Sequence, residues 1–153
     1  MTGRVRTRVS AYALAVREGR MLLTRLSDAS PVFAPGLWHL PGGGVDPGEQ
    51  PAEALVREIR EETGLETTGA ELLDARGYTV VRGGVDWHLT ALFYAVDLAA
   101  ARPAVTESGG STDAVAWVPL PDLADVPLSP PAADALRLLR ARGTVPTPFP
   151  DGA

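Results

Sequence analysis

The spacing of apolar and polar positions changes several times along the chain, and each change marks an element. From Val5 to Val16 the sequence is rich in Val, Ala and Tyr and reads as a strand. "REGR", Arg17 to Arg20, is a turn built on Gly19. Met21 to Arg25 is a second short strand, so the two are expected to form a hairpin. Ser27 to Leu37 carries Pro31, Pro35 and Gly36 and reads as a loop. The period then becomes helical from Gln50 to Thr63, with Pro51 at the first helical position and Gly64 just past the end. At about 100° per residue, Ala52, Leu55, Val56 and Ile59 share an arc expected to face a core. Glu58, Glu61 and Glu62 fall on a neighbouring arc at that core's edge, and Glu53, Arg57 and Arg60 take the outer side.

Two further strands, Leu72 to Val81 and Trp87 to Asp97, flank a turn at Gly83 and Gly84. Ala101 to Thr112 is a polar, Gly-rich loop, and Ala114 to Val118 is a short strand that stops at Pro119. Pro131 to Arg142 forms a second helix, with Leu136 and either Leu139 or Leu138 facing inward. Strands before and after a helix predict a mixed α/β layer fold. No repeat or linker divides the chain, so residues 1–145 form one expected domain, followed by a loose Pro-rich tail over 146–153.

Composition narrows the chemistry. The sequence has 153 residues, enough to bury a core without a disulfide or structural metal. It has no cysteine, which excludes thiolate zinc sites, iron–sulfur clusters and a cysteine nucleophile. The formal charge of −5 argues against a broad basic face for nucleic acid, so an anionic ligand must be met by local arginines or by cations. The amino terminus lacks the apolar run of a signal peptide, and no stretch approaches the ~18 apolar residues of a membrane span. The expectation is a cytoplasmic protein that does not enter membranes.

The densest chemistry lies in "PGGGVDPGEQPAEALVREIREETGL", Pro41 to Leu65. Glu58 and Glu62 are four apart and meet on one helix face, which costs roughly 0.2–0.5 kcal/mol in an isolated helix. A divalent cation reverses that sign. Carboxylates without His or Cys select a hard ion, Mg²⁺ or Mn²⁺, the chemistry used on phosphate esters and diphosphates. Gly42, Gly43 and Gly44 allow a backbone to approach a ligand closely, in what reads as a loop before the helix. An Arg–carboxylate pair, Arg57 with Glu49, could clamp that loop to the helix.

Written as G-x5-E-x7-R-E-U-x-E-E-x-G-U, with U a bulky aliphatic residue, this stretch resembles the Nudix box. Gly43, Glu49, Arg57, Glu58, Ile59, Glu61, Glu62, Gly64 and Leu65 fill all its positions. Such a match arises by chance in well under about one chain in a million. The resemblance implies a Nudix α/β/α sandwich with a mixed central β-sheet. It also implies a metal-dependent pyrophosphohydrolase acting on a nucleoside diphosphate linked to another group, with Mg²⁺ as the ion and Mn²⁺ as its substitute. Position by position, Glu58, Glu61 and Glu62 become metal ligands, with Glu58 also a base in some proposals. Glu49 and Arg57 become the structural ion pair, and Gly42 a carbonyl donor to the metal. Some members use an acid from the loop before the last strand. Glu107 resembles that acid, and Asp113 is its competitor.

Trp38, Phe33 and His39 could line a nucleotide pocket, and Arg25 could meet a phosphate. Substrate preference lies outside the box. Thr79 to Arg82 lacks the Pro of ADP-ribose hydrolases, Tyr78 falls early for dinucleoside polyphosphate hydrolases, and "LLTR" matches only the start of a coenzyme A pyrophosphatase motif. A nucleoside triphosphate, oxidised or not, or a nucleotide sugar is the expected substrate. The competing class is a nucleotide-binding sensor on the same scaffold, a class that tends to lose box glutamates. All are retained here. A homodimer is a further expectation from the family.

Overall fold

The computed structural model describes residues 3–99, 102 and 110–143. Eight strands, a 3-10 helix and two α-helices follow in chain order: β1 (Arg4–Leu14), β2 (Val16–Arg17), β3 (Arg20–Leu26), β4 (Trp38–His39), β5 (Gly42–Gly44), α1 (Pro51–Thr63), β6 (Thr67–Arg82), β7 (Val85–Leu98), β8 (Thr112–Pro119), the 3-10 turn Leu120–Asp125 and α2 (Pro130–Ala141).

The strands form two four-stranded sheets. One runs β5-β1-β7-β6, with β1 and β7 parallel and the outer pairs antiparallel. In the other, β3 pairs antiparallel with β2, β4 and β8. Successive strand residues point to opposite faces, and the cores divide accordingly. Ala11, Ala13, Ala15, Leu22, Tyr94 and Val96 pack with Leu55 and Ile59 of α1. Tyr12, Leu14, Met21, Leu23, Ala91 and Phe93 pack with Ala132, Ala135, Leu136 and Leu139 of α2. Both sheets feed both cores, so they act as one mixed layer between two helices. This is the α/β/α sandwich the box implies. Leu139, rather than Leu138, is the second fully inward leucine of α2.

Three expectations change. The predicted hairpin survives only at its tip, where Val16 pairs with Met21 and Arg17 with Arg20. The long strand β1 belongs to the other sheet. The glycine cluster is a strand and not a loop: Gly42, Gly43 and Gly44 pair with Tyr12, Ala11 and Ser10. Glycine is a poor strand former, and here its use is closeness. A Cβ on Gly42 would stand 2.1 Å from the Ala11 carbonyl oxygen, and its φ of +134° suits glycine alone. Finally, the buried face of α1 is Ala54, Leu55, Ile59, Glu62 and Thr63, whereas Ala52 is exposed. Glu62 therefore lies inside the core arc and not at its edge. The expected tail, 146–153, falls outside the described residues. No helix among the described residues is long and apolar enough to cross a membrane.

Candidate active site

Helix α1 is fixed at both ends. Glu53 accepts a hydrogen bond from the Gln50 backbone N–H at 3.3 Å, and Gly64, left-handed at φ 72°, ends the helix with its N–H on the Arg60 carbonyl. This rigid rod presents two carboxylate systems.

The outer one centres on Arg57. Its guanidinium binds Glu49 through two bonds of 2.8 Å, and also donates to the Gly44 carbonyl at 3.2 Å and to Glu58 at 3.0 Å. One side chain thus ties the 44–49 segment to the helix. The Arg57 hydrogen bonds hold the Glu49 carboxyl down to about 2, helped by the Asp46 backbone N–H. The Glu49–Arg57 pair inferred from the box is present.

The inner system is Glu58 and Glu62. Glu62 is 2% exposed. It accepts from the Gly42 backbone N–H at 3.3 Å and from Thr112 Oγ1 at 3.1 Å. Burial pushes its carboxyl well above the ordinary range, and the neighbouring Glu58 carboxylate pushes it further. Glu58 is also raised, first by burial and against the pull of its bonds to Glu62 and Arg57. Two carboxyl groups pressed together in a dry place call for a proton or a cation between them. The donors are all oxygen, which suits a hard divalent ion. Gly43 leaves the room, since a Cβ there would stand 2.9 Å from the Glu58 carboxyl carbon. The residues present therefore fit a metal. The convergence is of two acids: among the described residues no group of three or more acidic or histidine side chains forms a metal cluster, and Glu61 reaches Arg57 at 3.4 Å. Glu107 lies outside the described residues.

One cavity joins this acidic pair to an aromatic wall. Glu58, Glu62, Gly42 and Gly43 line it together with Phe33, His39 and Arg8. Phe33 and His39, two of the side chains expected around a nucleotide, line this cavity. Trp38 and Arg25 do not line it. Arg25 is held by Asp113 at 2.7 Å and lies over the Trp38 ring at 6.0 Å. Arg8, Tyr12 and Thr112 border the cavity and were not singled out from the sequence. A signal existed for the first two: Arg8, Ser10 and Tyr12 alternate along β1 and so share a face. Arg8 donates to Ser10 Oγ at 3.2 Å and leaves further guanidinium donors for an anion.

This architecture has known counterparts. The NUDIX domain family matches residues 5–139. The chain belongs to the NUDIX family. A nucleoside triphosphatase, NudI, of Escherichia coli O17:K52:H18 (strain UMN026 / ExPEC) is 34% identical over 140 residues, which span 88% of this chain and 97% of that one. Among solved structures, a MutT NUDIX hydrolase from Burkholderia pseudomallei superposes with a TM-score of 0.69 at 29% identity, covering 88% of this chain and 98% of its own. The NUDIX domain of Shewanella oneidensis NrtR, solved with ADP ribose, gives 0.70 at 22% identity over 93% and 90%, a likeness of fold alone. The protein is thus a Nudix pyrophosphohydrolase, of a family that generally works with divalent metal ions.

Proposed function

We propose that this Nudix hydrolase cleaves a diphosphate bond of nucleoside triphosphates, with Mg²⁺, or Mn²⁺ in its place, held by Glu58 and Glu62. Glu61 and Glu107 are the further acids assigned to the same ion or its water, and Gly42 its backbone donor. The observation that carries this reading is the pair of buried Glu62 and partly buried Glu58, facing a side-chain-free strand in the cavity that Arg8 also lines. The 34% identical nucleoside triphosphatase supports the substrate class.

A divalent cation, when bound, neutralises the diphosphate and lowers the pKa of a water. The chain's own residues do the rest. The Gly42 N–H and Thr112 hydroxyl hold Glu62 in one orientation, and Arg57 holds Glu58. Arg57 also braces the Gly44 carbonyl, so strand and helix keep their spacing. Glu58, the less buried of the pair, is placed to take the proton of the attacking water. Arg8 meets the phosphates, and the Phe33 ring offers a face to the base. The cytoplasm, where nucleotides are held, suits this role.

A panel of canonical and oxidised nucleoside triphosphates, nucleotide sugars, ADP-ribose, dinucleoside polyphosphates and coenzyme A, with product identification, tests it. The expected result is Mg²⁺-dependent turnover of triphosphates to monophosphate and pyrophosphate. Binding without turnover across the panel would establish the sensor reading instead.

A further inference from the structure

His39 is 5% exposed and borders the cavity, yet cleavage of the diphosphate uses neither of its ring nitrogens. Its Nδ1 lies 2.5 Å from Ser129 Oγ. Ser129 is fully buried and caps α2, accepting the Ala132 N–H at 3.3 Å. That hydroxyl has one proton to donate. Among the described residues, Nδ1 is its one hydrogen-bonding acceptor. If the imidazole carried its proton on Nδ1, the Ser129 hydroxyl would be buried with nowhere to donate, a costly arrangement. The cap therefore sets the tautomer: Nδ1 accepts, and Nε2 bears the proton. Burial lowers the His39 pKa to about 3, so the ring stays neutral near pH 7.

The ring also has little freedom to turn. Tyr12 meets it edge-on at 4.7 Å, and Phe33 lies tilted at 5.4 Å. Thr24 Oγ1 donates to the His39 carbonyl at 3.3 Å. Nε2 has no hydrogen-bond partner among the described residues. The result is a single, uncharged N–H on a ring of restricted freedom that borders the cavity beside Phe33, Val32 and Leu26, with Ser30 and Ser111 also on the lining.

We propose that His39 Nε2–H reads a carbonyl oxygen on the nucleotide base, and that Ser129 is the positioning residue that keeps the proton on Nε2. This deepens the triphosphatase reading and rests on it. A neutral donor on a ring packed by Phe33 and Tyr12 suits a base edge, whereas a phosphate is better met by the Arg8 guanidinium on the same lining. It favours bases with a keto oxygen at purine position 6 or pyrimidine position 4. An amino group at that position sets donor against donor, and a site built to hydrogen-bond one group rejects the analogue that lacks it.

Two measurements test this independently. The first is ¹⁵N NMR of the imidazoles at pH 7. The sequence has two histidines, so His88→Gln isolates the His39 signals. The expected spectrum shows protonated Nε2 and bare Nδ1, in wild type and in Ser129→Thr. A ring protonated on Nδ1 overturns the proposal, whether or not any nucleotide is hydrolysed. The second is kcat/KM for GTP and dTTP against ATP and dCTP. Wild type should favour the keto bases by about tenfold or more, mainly through KM. His39→Phe should bring that ratio close to one, and Ser129→Thr should keep it. An unchanged ratio in His39→Phe refutes the base-reading role. Failure of all four substrates would instead strike the triphosphatase reading, and Kd ratios for non-hydrolysable GTP and ATP analogues then decide base reading by the same criterion.

Discussion

Two carboxylate systems meet at helix α1, and they are opposites. On the outer side, Glu49 has its counter-ion: Arg57 grips both its oxygens at 2.8 Å, and its carboxyl is held down to about 2. On the inner side, Glu62 is more deeply buried and faces another acid, Glu58, so both carboxyls are pushed up. The first arrangement is complete in the protein by itself. The second is completed by what it binds. Frustration of this kind is local and is supported by a satisfied neighbour, since Arg57 belongs to the first system and also touches the second.

The largest expected contrast is in turnover. Glu62→Gln or Glu58→Gln should lower kcat by about 100-fold or more, by analogy with loss of a single transition-state-stabilising group. Without divalent ions, either change should leave Tm equal or higher, because a strained charge is removed. Near-normal turnover by Glu62→Gln in EDTA would mean that the inner pair is not the reaction centre. Arg57→Ala should behave the other way, with Tm falling by on the order of 5 °C and a smaller loss of kcat. A collapse of kcat at unchanged Tm would remove the distinction between the two systems.

The pH dependence should split the pair as well. A carboxyl raised on folding holds a proton that the unfolded chain gives up above its ordinary pKa of 4.5. The folded state then binds more protons, and stability falls as pH climbs above that value. Metal-free protein should show this slope in Tm, Glu62→Gln should flatten it, and Mg²⁺ should oppose it. Glu49 is depressed, so its contribution is present above 4.5 and is lost as pH drops toward about 2. An acid-side loss of Tm that persists in Glu62→Gln and vanishes in Glu49→Gln would assign each slope to its owner. The smallest effect belongs to the exposed Arg25–Asp113 pair, whose side chains are 44% and 46% exposed. Arg25→Ala should cost ~0.5 kcal/mol or less and leave kcat/KM unaltered. A large kinetic effect would bring Arg25 back to the substrate.

Much of this was legible in the sequence. The helix, both its terminal signals, most strands and the Glu49–Arg57 clamp follow from spacing and local chemistry. What stayed hidden depends on distant contacts. Glu62 looks peripheral because charged residues normally face out; it is buried by Gly42 and by Thr112, fifty residues on. Strand β5 hid because glycine carries no strand preference, and its pairing with β1 supplies the reason instead. The bond between His39 and Ser129 spans ninety residues and has no local signature. Arg8 was discoverable from the alternation on β1, although an arginine near a chain end is usually just solvated.

Strand β5 has one further consequence, which concerns heredity. It presents only main chain to the acidic pair, so no codon change can tune what it offers. Substitution can only obstruct it: a Cβ at Gly42 runs into the Ala11 carbonyl, and one at Gly43 runs into the Glu58 carboxyl. The cavity wall proposed to face the base is made of exchangeable side chains, Phe33, Val32 and His39. A lineage built on this frame can therefore change which nucleotide it accepts by ordinary point mutation. Its way of breaking the diphosphate can be inherited intact or lost, with few steps between.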